Sequence, residues 1–152
     1  MQGTKLVSAT PDDLLEVAIM SKMFHSEAKK SGYKLSFDLE KFNQVYLEAI
    51  NSPEYFYLLA KNGEDYVGFF IGVLHQPLFS NDILASEMFW WCNKEARGSG
   101  VAVAMLDSFE AWAKVSGATQ INVSDLQNVK SLQLLYKRRG YSISEQTYNK
   151  EI

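Results

Sequence analysis

Two glycines and an arginine stand where an aromatic, strand-like run meets a long amphipathic helix. The stretch WWCNKEARGSGVAVAMLDSFEAWAK occupies residues 90–114, and its loop, residues 97–100, has the sequence Arg-Gly-Ser-Gly. Glycines let the backbone approach a ligand closely, and the first N–H groups of a helix are unpaired and carry the positive end of its dipole. The pattern therefore predicts an anion site, for which phosphate is the natural ligand.

Two common phosphate loops fit this stretch poorly. A nucleotide P-loop requires Gly-Lys-Ser/Thr, but Gly100 is followed by Val101. A dinucleotide-binding turn needs a third glycine where Val103 stands, and it opens a βαβ unit. A third pattern, Arg/Gln-x-x-Gly-x-Gly/Ala, matches residues 97–102 in full. Six residues alone fit a plain turn into a helix equally well, so the surrounding elements must decide.

Periodicity and turn residues predict the elements before the loop. TKLVSAT forms a first strand, and Thr10 caps a helix that begins at Pro11 and ends near Gly32. FDLEKFNQVYLEAI has the apolar spacing of a second helix. Three strand-like runs follow between residues 55 and 93, the first two separated by the hairpin signal KNGED. This region therefore predicts an antiparallel meander.

The elements after the loop complete an α+β order. The sequence predicts a helix at about 99–116, a strand at QINVS, a helix at about 128–139 and a terminal strand or strand pair at YSISEQTYNKEI. The order β-α-α-β-β-β-α-β-α-β, with an optional last strand, is typical of one sheet with helices packed on it. A length of 152 residues predicts a single domain, residues 1–152.

Composition excludes several classes of protein. A net charge of −3 gives no general electrostatic footprint for nucleic acid. The single cysteine, Cys92, excludes an internal disulfide and a cysteine zinc site, and it suits the reducing cytoplasm. No apolar run is long enough to span a membrane, and the N-terminus lacks the pattern of a secretory signal. The sequence therefore predicts a cytoplasmic globular protein.

A second motif lies about 40 residues beyond the loop, where LLYKRRGY includes Tyr136 and Gly140. With the loop motif and the element order, it resembles the GNAT acetyltransferase superfamily, whose motif here is Leu-Tyr-x-x-x-Gly-Phe/Tyr. SEMFWWCNKEARGSG further resembles small GNAT-like proteins encoded by bacteriophages. The resemblance implies a mixed, mostly antiparallel sheet of six to seven strands, about four flanking helices, and a splay between strands 4 and 5.

The resemblance also implies where acetyl-CoA, the co-substrate, would bind. Its pyrophosphate would lie on the backbone amides of the loop and helix start, with the charge of Arg97 bridging two phosphate oxygens. Its pantetheine arm would pair with the fourth strand, and an amide near Trp90 would hold the thioester oxygen. The family also has an asparagine about seven residues before the motif tyrosine; Asn128 precedes Tyr136 by eight. The cofactor-binding residues predicted in this way are Phe89, Trp90, Trp91, Cys92, Arg97, Gly98, Ser99, Gly100, Val101, Ala102 and Asn128, and no metal is implied.

The implied reaction is direct attack of an amine on the thioester. A lysine-type ammonium has a pKa of about 10.4 and must first lose a proton. Glu87, on the predicted fourth strand, is the candidate base, and a solvent-facing strand residue is an equally good interpretation. Water or His25 is the alternative base. Tyr136 would protonate the leaving thiolate. Cys92 is expected to be a buried small residue, although an acyl-cysteine relay is conceivable.

The acceptor amine cannot be identified from the sequence. A protein N-terminus, a lysine, a polyamine, an aminoglycoside and a nucleobase all remain open. A different class of function is also open, namely a GNAT-fold protein that binds acyl-CoA or a protein partner without turnover, and so is a homodimer. The presence of Arg97, Gly98, Gly100 and Tyr136 favours the enzyme.

Overall fold

A computed structural model of the chain describes residues 3–152. Within them the chain forms one five-stranded sheet with the spatial order β1-β2-β3-β4-β5. The strands are β1 (Thr4–Ser8), β2 (Tyr55–Asn62), β3 (Asp65–His75), β4 (Leu84–Cys92) and β5 (Gln120–Asn122). Strands β1 to β4 are joined in antiparallel pairs, and β5 runs parallel to β4. The α+β class, the mixed sheet and the antiparallel meander are therefore confirmed.

Two helices cover each face of this sheet, close to the ranges that the sequence predicts. They are α1 (Leu14–Lys30), α2 (Leu39–Ala49), α3 (Val101–Val115) and α4 (Lys130–Arg138), with short 3-10 turns at Pro11–Asp13 and Lys94–Ala96. Val17 of α1 and Tyr46 of α2 pack with Phe69 on one face. Phe109 of α3 and Tyr136 of α4 belong to the core on the other face. None of the helices in residues 3–152 combines the length and apolar character that a membrane crossing requires.

The prediction of six to seven strands is wrong, because residues 141–152 form no strand in the described structure. Tyr141 is partly buried beside Tyr136, but the apolar side chains after it, Ile143, Tyr148 and Ile152, are exposed. Because they provide no buried face, a sixth strand would gain little from packing. The stretch is instead tied by an ion pair between Lys34 and Glu151, whose charged atoms are 2.9 Å apart.

Strand β4 loses one of its two neighbours part-way along its length. Residues Leu84–Ser86 lie beside Gln120–Asn122 of β5. Residues Glu87–Cys92 continue beside β3 alone among the described residues. Pairing between β4 and β5 therefore stops where the resemblance implies a splay between the fourth and fifth strands, and this opening is called the splay below.

A β-bulge in β4 coincides with the point where the splay begins. Ile71 of β3 pairs with Phe89, but the next residue, Gly72, pairs with Glu87, so Met88 is the extra residue. A bulge bends its strand and increases the local twist. Gly72 itself permits close packing, because a Cβ atom there would collide with the ring of Phe109 on α3. This close packing holds α3 against β3 at the level of Glu87. The point at Glu87 where the splay begins is called the vertex below.

A buried carboxylate holds the start of α1 against the sheet and α2. Asp13 accepts hydrogen bonds from the amide and hydroxyl of Thr10, at 2.8 and 2.9 Å, and from the hydroxyl of Tyr66. Tyr46 donates to the carbonyl of Thr10 at 2.6 Å. Burial raises the pKa of Asp13, but the hydrogen bonds from Tyr66 and Thr10 and the charge of Lys61 outweigh it, so the pKa lies below its ordinary value.

Replacing Tyr66 by Phe removes one hydrogen-bond donor to the ionised Asp13. We expect the free energy of unfolding at pH 7 to fall by about 1.5–3 kcal/mol, which is the range for hydrogen bonds to charged groups. A carboxyl whose folded pKa is lowered contributes stability above its unfolded pKa of about 3.9 and loses it as the pH falls through the folded value. The difference from wild type should therefore shrink in urea unfolding at pH 3. Tyr148→Phe, at an exposed position, is the control. If Tyr66→Phe lowered the free energy of unfolding by the same amount at both pH values, the assignment of Tyr66 as a donor to the ionised Asp13 would be wrong.

Candidate functional site

The loop before α3 owes its shape to two glycines with left-handed backbones. Gly98 has a φ of 80° and Gly100 a φ of 91°. A Cβ atom at either position would meet no other atom within 4 Å. Glycine is therefore favoured at both positions by the backbone conformation and not by crowding. The absence of nearby atoms also leaves open space directly above the backbone of the loop.

Several amides of this loop and of the first helical turn have no acceptor within residues 3–152. The first backbone bond of α3 runs from the amide of Ala104 to the carbonyl of Gly100, at 3.0 Å. Ser99 turns inward, because its amide and its hydroxyl both donate to the carbonyl of Ala96, at 3.3 and 2.6 Å. The amides left without a protein acceptor are those of Gly98, Gly100 and the first three residues of α3, Val101, Ala102 and Val103. Together with the dipole of α3 they form a site suited to an anion.

The side chain of Arg97 ties this loop to two other elements. Its Nε donates to the carbonyl of Cys92 at 2.9 Å, and its Nη2 lies 2.7 Å from Oε2 of Glu27 on α1. The guanidinium is half-exposed. The structure thus gives Arg97 a positioning role at the end of β4, and its contact with phosphate stays a prediction.

The aromatic run of β4 alternates between the two faces of the sheet. Phe89 and Trp91 pack on the side of α1 and α2, whereas Trp90 and Cys92 pack on the side of α3 and α4. These side chains therefore belong to the cores. What β4 offers to a ligand is its unpaired backbone edge on the splayed side.

Glu87 and Tyr136 come together at the vertex of the splay, through a residue that the sequence did not single out. The amide and the hydroxyl of Ser124 donate to Oε2 of Glu87, at 3.1 and 2.7 Å. The hydroxyl of Tyr136 donates to the carbonyl of Ser124 at 3.0 Å. The ring of Trp90 lies beside that of Tyr136, with centroids 6.3 Å apart. The vertex therefore holds a carboxylate and a phenol that bond to the same residue.

The environment of the vertex raises the pKa of both of its titratable groups, Glu87 and Tyr136. Burial raises the pKa of Glu87 above its ordinary value, although the two hydrogen bonds from Ser124 oppose the change. Burial, followed by the charges of Glu87 and Asp125, raises the pKa of Tyr136. Near neutral pH this gives a phenol that keeps its proton and a carboxylate better matched to proton transfer than an exposed one.

The remaining candidate residues lie away from the vertex or are unreactive. Nε2 of His25 lies 2.6 Å from the carbonyl of Leu35, and its ring packs near Tyr33 in the connection between α1 and α2. Asn128, exposed and with a φ of 54°, accepts from the side-chain amide of Gln133 at 2.6 Å. The structure therefore does not bring these two side chains to Glu87, and the cofactor role of Asn128 stays a prediction.

Cys92 is buried in the core beside α3. Burial raises the pKa of its thiol to about 12, while the charge of Arg97 acts in the opposite direction. A thiol with that pKa is neutral at pH 7 and is a poor nucleophile. This favours the interpretation of Cys92 as a buried small residue over an acyl-cysteine relay.

Ser124 was missed because its signal in the sequence is weak. It is the last residue of the predicted strand QINVS, a position where serine is unremarkable. Its bonds to Glu87 and Tyr136 join residues 37 and 12 positions away. Among the described residues, no group of His, Cys, Asp and Glu is arranged to hold a metal ion.

The site combines a glycine loop at a helix N-terminus with a strand that has one unpaired edge. This arrangement suits an extended ligand that carries phosphate. The profile of the acetyltransferase (GNAT) family matches residues 19–141. The chain therefore belongs to that family. No curated protein sequence matches the chain.

Solved structures with the same fold cover almost the whole chain. A transcriptional regulator from Bacillus halodurans C-125 has a TM-score of 0.79 at 20% identity, covering 98% of this chain and 99% of its own. A predicted acetyltransferase from Clostridium acetobutylicum, crystallised with acetyl-CoA, has a TM-score of 0.78 at 14% identity, with 97% and 96% covered. Glucosamine-6-phosphate N-acetyltransferase from Arabidopsis thaliana has a TM-score of 0.72 at 11% identity, with 97% of each chain covered. At these identities the likeness establishes the fold alone.

The fold implies binding of acetyl-CoA, and the residues of this chain fit such a ligand. The unpaired amides at residues 98–102 suit its pyrophosphate, and the unpaired edge of β4 suits its extended arm. We expect Gly100→Asp to weaken acetyl-CoA binding roughly a hundredfold or more in calorimetry, because it places a negative charge at the phosphate position.

Gly117→Asp is the matched control for this variant. Gly117 has a φ of 81° and equally open surroundings, but it lies past the other end of α3. It therefore carries the same backbone strain without the charge at the loop. Wild-type affinity in a folded Gly100→Asp protein would contradict the assignment of the loop.

Proposed function

We propose that the protein is an N-acetyltransferase that transfers the acetyl group of acetyl-CoA to the amine of an acceptor by direct attack. The observation that carries this proposal is the vertex of the splay, where Glu87 and Tyr136 bond to the same residue, Ser124. A base and an acid are the two proton-transfer groups that this reaction needs. Membership of the acetyltransferase family supports the donor and the reaction class.

The loop and β4 would bind the donor. Amides of residues 98–102 would neutralise the pyrophosphate together with the helix dipole, while Arg97 holds the loop on β4. Backbone groups of Phe89–Cys92, on the edge without a neighbour, would pair with the pantetheine arm. When bound, acetyl-CoA supplies the acetyl thioester. An amide near Trp90 would stabilise negative charge on the thioester oxygen.

Two side chains would move the protons. The carboxylate of Glu87 would take a proton from the acceptor ammonium, directly or through water, which frees the nitrogen lone pair for attack. The hydroxyl of Tyr136 would give its proton to the departing thiolate, and the proton that the acceptor nitrogen loses as the amide forms would return to the tyrosinate through solvent. The raised pKa of Tyr136 keeps the phenol protonated at neutral pH before the reaction. Tyr136 must release the carbonyl of Ser124 to protonate the thiolate.

The acceptor, the cytoplasmic location, a homodimeric state and the likeness to bacteriophage-encoded proteins stay predictions. A panel of amines with acetyl-CoA, followed as release of free thiol, tests the proposed function. The panel would include an N-terminal peptide, a lysine peptide, a polyamine, an aminoglycoside, an aminated nucleobase and an amino sugar. Binding of acetyl-CoA without thiol release for any amine would instead favour the non-catalytic binding protein.

Replacing Tyr136 by Phe keeps the ring and removes the proton donor. We expect acetyl-CoA affinity to persist and turnover to fall by roughly 10²-fold, the usual scale of acid catalysis. Tyr33→Phe, in the connection between α1 and α2, is a control for the loss of a phenol outside the vertex. Turnover of Tyr136→Phe equal to that of wild type would remove Tyr136 from the mechanism.

Replacing Glu87 by Gln removes the basicity and keeps the shape. We expect the rate to fall most near neutral pH and least near the pKa of the acceptor amine, where the amine no longer needs a base. In wild type the acid limb of the pH–rate profile should lie above the ordinary carboxyl range, because burial raises the pKa of Glu87 and only the ionised form is a base. A constant ratio of the two rates from about pH 6 to 10 would reject Glu87 as the base.

A further inference from the structure

Ser124 contributes three separate polar groups to the vertex of the splay. Its amide and its hydroxyl both donate to the same carboxylate oxygen of Glu87. Its carbonyl accepts from Tyr136. Ser124 lies just beyond the end of β5, where the hydrogen bonding between β4 and β5 has already stopped. These contacts are therefore not part of the sheet, and they fix side chains rather than strands.

Glu87 depends on Ser124 for its hydrogen bonds. Within residues 3–152, the two bonds from Ser124 are the only ones that the carboxylate accepts, and Glu87 forms no ion pair. A half-buried carboxylate without a cation would otherwise favour its protonated form. Hydrogen bonds to the carboxylate favour the ionised form, which is the one that can act as a base.

Few other charged groups act on this carboxylate. Tyr136 faces it from α4, and Asp125, the next residue after Ser124, adds a second negative charge near Tyr136. Asp125 is itself turned toward the start of α4. Opposite Glu87, β3 presents Gly72 and α3 presents Phe109, neither of which titrates. The hydroxyl of Ser124 is thus the main side-chain group that can tune Glu87.

We propose that Ser124 is a positioning residue for the acetyl transfer, holding Glu87 in the orientation and the ionised state of a base and Tyr136 beside it. This inference rests on the proposed function. Ser124 does not carry the proton from one to the other, because Tyr136 bonds to its carbonyl and not to its hydroxyl. Its part is to set the position of two groups that act separately.

The decisive experiment is an NMR titration of the Glu87 carboxyl carbon in the protein without ligand. Glu87→Gln identifies the signal by its loss. In Ser124→Ala the hydroxyl donor is gone while the amide donor remains, so we expect the titration midpoint of Glu87 to move to higher pH. Ser124→Thr keeps a hydroxyl and should restore the wild-type midpoint. Ser108→Ala, which removes a hydroxyl bonded to a helix carbonyl of α3, should change nothing.

The same variants are then compared in turnover of acetyl-CoA with whichever amine of the panel is acetylated. The acid limb of the pH–rate profile should move to higher pH in Ser124→Ala, with turnover near pH 6 falling by roughly tenfold, the scale of one hydrogen bond to a charged group. Thermal unfolding of each variant shows whether the fold is kept.

The outcomes separate the two proposals. An unchanged Glu87 midpoint in folded Ser124→Ala would overturn the role of Ser124, whether or not the protein turns over acetyl-CoA. A shifted midpoint with an unshifted pH–rate profile would likewise overturn it, since Ser124 would tune a group that does not limit the reaction. No thiol release by wild type with any amine would overturn the proposed function, while the titration would still decide whether Ser124 controls Glu87.

Discussion

The site depends on a strand edge that loses its partner. Beyond Ser86, the N–H and C=O groups of β4 that point toward β5 have no strand to bond within the described chain. Backbone polar groups need hydrogen-bond partners, so this edge must either stay hydrated or accept an extended ligand that pairs with it as a strand would. The bulge at Met88 and the short β5 create this opening, and the bonds between Glu87 and Ser124 cross it only at the vertex.

The same strand also fixes where the anion site lies. The guanidinium of Arg97 bonds to the carbonyl of Cys92, the last residue of β4, and this contact ties the glycine loop to the end of the edge. Helix α3 then packs its Phe109 on Gly72, directly across β3 from Glu87. One strand and one helix therefore link the unpaired amides at one end of the edge to the carboxylate and the phenol at the other. A ligand with phosphates at one end and a reactive group at the other matches this layout.

Sequence predicted the parts of the site that local rules encode. Gly98 and Gly100 indicate a glycine-rich turn that a ligand can approach closely, and the helix after them follows from apolar spacing. The partnership of Glu87 with Ser124 could not be predicted, because it joins distant residues and uses an ordinary serine. The last strands were predicted in error, because turn and propensity signals in residues 141–152 do not reveal that the stretch has no buried face beyond Tyr141.

A crystal structure of the protein with a non-hydrolysable acetyl-CoA analogue would show directly whether the ligand binds along this edge. We expect pyrophosphate oxygens within hydrogen-bond distance of the amides at residues 98–102. We also expect an arm paired with Phe89–Cys92, with the acyl end beside Glu87 and Tyr136. A ligand whose pyrophosphate lies away from the loop, or whose acyl end lies far from the vertex, would contradict this expectation.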